Sequence, residues 1–439
     1  MRVVEVCCGA GGMSLGLSRA GFRVDRAIDV WPAALRVYRD NIPKTSLLSH
    51  QHHARQGDLS DLIALVPHVL GLRCDLIAGS PPCQDFSSAG SRIEGTRADL
   101  TLGYAIFVAA VRPRWILMEN VPNARASIAW RQARTVLKRA GYGLTEQIVD
   151  ASEYGVGQAR QRFIVVGRLG EADGFLDEAI EAAKSKRPTT VRDMLGDDVG
   201  VHPGGDYPPD TRVFFVRPFK NGRGVRSIDE PCPSIIRTTG EKASRNYRPH
   251  PHDIAPHDKV PPLTSEQLSR LQGFPKDWSW RAIKTVRERD QMIANAVPAP
   301  LAEAIGRLIV ARDKGESIPA VEPAYVKWLS STKDLSGPVL RNRKAHLNRA
   351  RKLLKGRILA DLEAEIALLE SAKEFTVLAP SVKSDLRLAL RLHAEWRTIS
   401  RKMSNPEVHE VDRDDEHQPT DIGPPTIRLQ IKKSNTPAL

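Results

Sequence analysis

The chain has 439 residues, 41% of them apolar, with 65 Lys and Arg against 52 Asp and Glu and a formal charge of +13. That length predicts two to three structural units, and the apolar share is enough for a sizeable core, which excludes global disorder. The basic excess favours a polyanionic partner, because neutralising phosphates releases counterions, but on charge alone a solvated basic surface is an equal alternative.

Met1 leads at once into Arg2–Val6, which reads as a strand rather than a signal sequence. Apolar periodicity then predicts a helix from Leu15, a strand over Phe22 to Asp29 and a helix through Ala33, Val37 and Tyr38. Further strands are expected at Asp75–Ala78, Trp115–Met118 and Phe163–Val166, with a helix over Leu100 to Val111. Strands alternating with helices imply an α/β fold with a mostly parallel, Rossmann-like sheet covered on both faces. After about Arg168 the texture turns rich in Pro, Gly, Arg and Asp, so 169–262 is expected to form a smaller irregular domain. Helical pattern resumes at Thr264–Gln272 and Pro300–Arg312, and 263–315 is expected to return to the first domain, 1–168. Leu347, Leu354, Ile358, Leu362, Ile366 and Leu369 predict one basic helix over 340–370 within an extension spanning 316–403, with another at 384–397. The tail from 404 is polar and is expected to be disordered. No apolar run is expected to span a membrane. The five cysteines, Cys7, Cys8, Cys74, Cys83 and Cys232, are odd in number and lack zinc-finger spacing, which points to a reduced cytoplasmic protein.

Two segments carry candidate chemistry. Glu5-Val6-Cys7-Cys8-Gly9-Ala10-Gly11-Gly12 lies between a strand and a helix, where glycines let backbone approach a ligand. Asp29 ends the next strand and suits ribose hydroxyls, and Asp58 follows a third and suits an adenine amino group. Each alone is equally a tight turn or a helix cap. Farther along, Pro81-Pro82-Cys83-Gln84 holds a thiol at a strand end, where open α/β sheets bind ligands. Met118-Glu119-Asn120-Val121 presents a carboxyl at the next strand end, and Gln158-Ala159-Arg160-Gln161-Arg162 presents two arginines to a carbonyl oxygen or a phosphate. A buried cysteine, a satisfied polar strand end and a solvated charge pair are the plain alternatives.

In this order the residues resemble the C5-cytosine DNA methyltransferase family of bacterial and phage restriction-modification type. The glycine motif, Pro82-Cys83-Gln84, Glu119-Asn120-Val121, Gln158/Arg160/Arg162, Arg270-Leu271-Gln272-Gly273-Phe274-Pro275 and Asn295-Ala296-Val297-Pro298 follow one another from Arg2 to about Arg312. The departures are Glu5 where the family usually has Asp, Cys7 for an aromatic, Asp29 for a common Glu, and Ala294 for the glycine before Asn295.

The resemblance implies a large S-adenosylmethionine-binding domain and a small target-recognition domain. It implies attack of the Cys83 thiolate on C6 of a cytosine flipped out of duplex DNA, which makes C5 nucleophilic. Glu119 would hold N3 and the amino group; Arg162, with Arg160 and Asn120, would contact O2 or order the site. Cofactor contacts are implied for Cys7, Gly9, Ala10, Gly11, Gly12, Asp29, Val30, Trp31, Asp58, Leu59, Pro82, Leu100, Asn295 and Val297. DNA contacts are expected from Gln84, Ser87 and Arg97 in a closing loop, and from Arg217, Arg223, Arg226, Arg237, Thr238 and Thr239 in the small domain. No metal is expected; His250, His252 and His257 read as a polar loop. A nucleoid-associated monomer beside a cognate restriction endonuclease is the setting implied. The alternatives are an RNA cytosine-5 methyltransferase, whose Cys-Phe-Thr segment is missing here, a non-catalytic DNA-binding relative, and a simple adenosine-binding module.

Overall fold

The computed structural model describes residues 1–42, 53–82, 99–197, 199–218 and 222–404. The strands are β1 Arg2–Val6, β2 Arg23–Asp29, β3 His53–Gln56, β4 Leu76–Gly79, β5 Trp115–Asn120, β6 Tyr142–Asp150, β7 Gln158–Ala159, β8 Gln161–Leu169, β9 Val213–Phe215, β10 Val225–Ser227 and β11 Cys232–Pro233. The helices are α1 Gly12–Arg19, α2 Pro32–Asn41, α3 Leu62–Leu65, α4 Asp99–Val111, α5 Ile128–Arg139, α6 Asp177–Ala182, α7 Val191–Leu195, α8 Ser265–Leu271, α9 Val286–Asn295, α10 Ala299–Lys314, α11 Pro323–Thr332, α12 Gly337–Leu353, α13 Leu362–Glu370, α14 Lys373–Thr376 and α15 Pro380–Ser404.

Seven strands form one sheet in the order β3-β2-β1-β4-β5-β8-β6. The first five run parallel; β8 is antiparallel to both β5 and β6. The central strands are buried along their length, which explains their continuous apolar runs. The chain leaves β1 toward β2 on one side and returns to β4 on the other. That reversal opens a crevice at the carboxyl ends of β1 and β4, the place where open α/β sheets hold ligands.

The return from the smaller body is made by α10, which packs on α1. Its approach is close: a Cβ on Gly12 would meet the Val297 carbonyl oxygen at 2.2 Å, and one on Gly16 the Ala299 oxygen at 2.3 Å. The stretch Val286–Lys314 is long and apolar enough to cross a membrane, contrary to the expectation from sequence. It breaks between α9 and α10, however, and Val297, Leu301, Ile305 and Ile309 lie in the sheet's core with Leu17 and Val24. Its second half, α10, is built as a core helix.

Packing places the start of the smaller body later than 169. Phe175, Leu176 and Ile180 pack with Trp115 and Val166 on the sheet, and the second core begins at Val191, with Phe214, Ile228, Ile235, Leu268 and Ile293. The expected single helix over 340–370 is two. Lys355 (φ +53) and Gly356 (φ +77) turn the chain between α12 and α13. The apolar periodicity carries across the break because Leu347, Leu354, Ile366 and Leu369 all face one core, shared with Tyr325, Phe375 and Leu390. The second expected helix is longer than its periodic segment, running as α15 from Pro380 to Ser404.

Candidate active site

The glycine loop leaves β1 in two left-handed steps, Cys7 (φ +54) and Gly9 (φ +53), before Gly11 (φ +95) opens α1. A left-handed Cys is costly, and such outliers persist where the surroundings impose them. Here the turn aims the Cys7 carbonyl at Ser80, whose hydroxyl donates to it at 3.2 Å. The cofactor loop and the segment leading to Cys83 are thereby tied together.

Asp29 sits at the carboxyl end of β2. Its carboxylate accepts the Gly9 N–H at 2.7 Å and the Trp31 N–H at 2.8 Å. Burial pushes its pKa up, against those N–H groups, which favour the charge. A Cβ built on Gly9 meets nothing within 4 Å, so the space in front of the loop is open. Val30 is exposed, and so are Asp58 and Asn295; Ala10, Leu59 and Val297 are buried behind them, and Trp31, Pro82 and Leu100 are half-buried. An open cradle, a carboxylate oriented by backbone N–H groups and an outward acid fit the adenosine part of S-adenosylmethionine.

Beneath the loop, Glu5 is fully buried and accepts from the Ser14 hydroxyl, which lies 2.7 Å from Tyr38 Oη. Burial, with the nearby Asp29 charge, raises Glu5 to about 8. Sequence reading did not find this support; a buried acid in a strand of Val residues was its only signal.

The candidate catalytic edge lies on β4, β5 and β8. Glu119, near the end of β5, pairs with Arg162 Nε at 2.7 Å; their side chains are 8% and 11% exposed. β8 brings Arg162 there because Asn120 is in register with Phe163. The Asn120 amide donates to the Pro81 carbonyl at 3.4 Å, and its oxygen accepts the Val121 N–H at 2.8 Å. Asn120 therefore fixes the segment before Cys83 against the Glu119 strand. Cys83, Gln84, Ser87 and Arg97 lie outside the described residues.

Arg160 does not share this edge with Arg162. It is 4% exposed and donates to the Ile235 carbonyl at 3.0 Å and the Ala294 carbonyl at 2.7 Å. Gln158 joins the same buried network through the Ile235 N–H (2.7 Å) and Gln272 (3.2 Å). These residues clamp the smaller body and α9 onto the sheet. Two-residue spacing suggested a common direction, but Arg160 lies in the break between β7 and β8, where strand alternation does not hold.

In the smaller body, Arg217 and Arg237 share Glu241, and Arg223 and Arg226 share Glu230. Each carboxylate orders two guanidiniums and leaves one net positive charge. Thr238 is half-buried. Thr239 departs from the expected role: it is 2% exposed, and its hydroxyl accepts the Ile236 N–H at 2.9 Å, so it closes a turn instead of facing a partner.

Fold and site together define an α/β enzyme with an adenosine-type cradle and an acid–arginine pair across one crevice. A sequence profile of the C-5 cytosine-specific DNA methylases matches residues 1–311. The chain is 37% identical over 304 residues to the type II methyltransferase M.HgiDI of Herpetosiphon aurantiacus, across 69% of this chain and 92% of that protein. It is 36% identical over 322 residues to M.HindV of Haemophilus influenzae, across 72% and 98%. The solved Entamoeba histolytica methyltransferase EhMeth shares the fold at a TM-score of 0.50 and 16% identity, over 70% of this chain and 97% of that one.

The chain belongs to the C-5 cytosine-specific DNA methylase family. It is a DNA cytosine-5 methyltransferase, with S-adenosylmethionine as methyl donor and double-stranded DNA as substrate.

Proposed function

We propose that this enzyme methylates cytosine within one short DNA sequence, protecting cellular DNA beside a restriction endonuclease, and that Cys83 is its nucleophile. The observation that carries the reading is the Glu119–Arg162 pair, set beside a segment that Asn120 and Ser80 hold in place just before Cys83. When bound, S-adenosylmethionine supplies an electrophilic methyl group. Gly9, Asp29 and Asp58 hold its adenosine end. The Cys83 thiolate adds to C6 of the flipped base, which makes C5 nucleophilic; once C5 carries the methyl group, loss of the C5 proton and expulsion of the Cys83 thiolate restore the aromatic ring. Glu119 bonds N3 and the exocyclic amino group, and steadies charge as the adduct forms. Arg162 orients Glu119 and reaches O2. Arg160 holds the two bodies at a fixed separation, and the small body reads the sequence through Arg217, Arg226 and Arg237. The enzyme acts as a monomer in the cytoplasm, on DNA of the nucleoid, and shares a target with its endonuclease without forming a stable complex with it.

The test is expression in cells free of cytosine methylation, followed by sequencing of bisulfite-treated DNA beside a Cys83→Ser control. Protected cytosines in one motif, absent from the control, are expected. Unprotected DNA from folded protein that still binds S-adenosylmethionine would overturn the reading.

A further inference from the structure

Residues beyond 311 lie outside the family match, yet 321–399 build a helical body with its own core. One of its helices, α12, holds six Arg and Lys residues and no acid. The structure treats these charges in two ways. On the inner side, Arg351 Nη2 lies 2.8 Å from both Glu322 carboxylate oxygens, and Arg343 pairs with Asp385 at 2.9 Å. On the outer side, Arg341, Lys344, Arg349 and Lys352 are exposed and have no carboxylate partner among the described residues. Arg341, Lys344 and Lys352 fall on one face of the helix and span about 16 Å. Arg341 and Lys344, like Arg349 and Lys352, stand three residues apart, where like charges weaken a helix. Stability does not explain the stripe.

We infer that this face of α12 is a second, sequence-independent DNA-binding surface. Its charge complements the phosphate backbone of the substrate the enzyme already handles. Its position sets what it binds. The helical body docks where β8 ends: Glu171 accepts from Arg357 Nε at 2.8 Å and from the Ile358 N–H at 2.9 Å. That is the amino end of β5, since Trp115 is in register with Arg168. The catalytic edge is at the other end of the strand, about 17 Å away. The stripe therefore holds DNA outside the segment seated at the active site, either a distant stretch of the same molecule or a second duplex. Such a surface keeps the enzyme on long DNA between target sites.

The experiment uses the full chain carrying Arg341→Glu, Lys344→Glu and Lys352→Glu together, with Arg341→Lys, Lys344→Arg and Lys352→Arg as the charge-conserving control. Binding to a long duplex without a target site is measured against salt. Each phosphate contact contributes about 0.9 to the slope of log affinity on log salt, so the reversal variant is expected to lose about 2 to 3 from that slope. Its methylation of a short duplex carrying one target is expected to match the parent, while KM on long DNA rises. The charge-conserving variant is expected to behave as the parent throughout. An unchanged salt slope overturns the proposal, and so does a change in oligomeric state with DNA affinity intact, which would assign the face to a protein partner. Failure of the parent on the short duplex would instead count against the methyltransferase mechanism proposed above, independently of the stripe.

Discussion

The two ends of the β5–β8 ladder use buried glutamates differently. At the amino end Glu171 is fully buried, and both its oxygens are taken: Arg357 and Arg168 hold one, the Ile358 N–H the other. At the carboxyl end Glu119 is nearly as buried, but among the described residues only Oε1 has a partner, Arg162. A carboxylate whose oxygens are all used within the fold serves cohesion. One with an oxygen left over, beside the crevice of an open α/β sheet, is available to a substrate. Burial alone does not separate the two; the count of satisfied lone pairs does.

That contrast is broken most directly by Glu119→Gln. The amide keeps the shape and an acceptor for Arg162 but gives up the charge and the exchangeable proton. Loss of a positioned acid–base group is worth about 10² to 10⁴ in rate, so kcat in single-turnover methylation is expected to fall by that factor while the thermal midpoint barely moves. A parallel loss of folding would mean that Glu119 is structural after all, like its counterpart.

At the other end, Glu171→Ala should do the reverse. It removes the carboxylate that Arg168 and Arg357 share and leaves the Ile358 N–H without its acceptor. Breaking a buried pair from one side costs about 3 to 5 kcal/mol. Denaturant unfolding should show a loss of that size, with the helical body loosening from the sheet. The kcat of the folded fraction is expected to stay at the parent value, and a lower kcat would show that the two ends are coupled.

The contrast also explains what the sequence discloses. β1, β4, β5 and β8 are legible because strands buried in the middle of the sheet are largely apolar runs, and the motif order places Glu119 and the Gly9–Gly12 turn at their ends. β6 is not, because Thr145, Glu146 and Gln147 interrupt its pattern; it is held by nine register pairs with β8 rather than by its own propensity. Arg160 and Arg162 look equivalent in the chain, and only the break between β7 and β8 assigns one to a clamp and the other to Glu119. Glu171 gives no signal of the dock it makes, since the partners that tie it to the helical body, Arg357 and Ile358, lie far along the chain. The motifs report chemistry near a strand end; they do not report contacts closed over such separations.

Glu5 offers the finest test, since it is a buried glutamate under the glycine loop that accepts from the Ser14 hydroxyl. Burial raises its pKa from 4.5 to about 8, so the folded chain keeps it protonated where the unfolded chain ionises. The sign follows. The folded state binds the extra proton between pH 4.5 and 8, so this group's contribution to stability is complete below 4.5 and declines as pH rises through 8. The slope from one such group is at most about 1.4 kcal/mol per pH unit. Glu5→Gln mimics the protonated acid and keeps a partner for Ser14, so it should flatten the stability profile over that window and leave the variant more stable than the parent at pH 8. Urea unfolding at pH 5, 6.5 and 8 checks this. Parallel profiles for the two proteins would mean that Glu5 is ionised in the folded state, and that the Ser14–Tyr38 pair solvates a charge instead of holding a neutral acid.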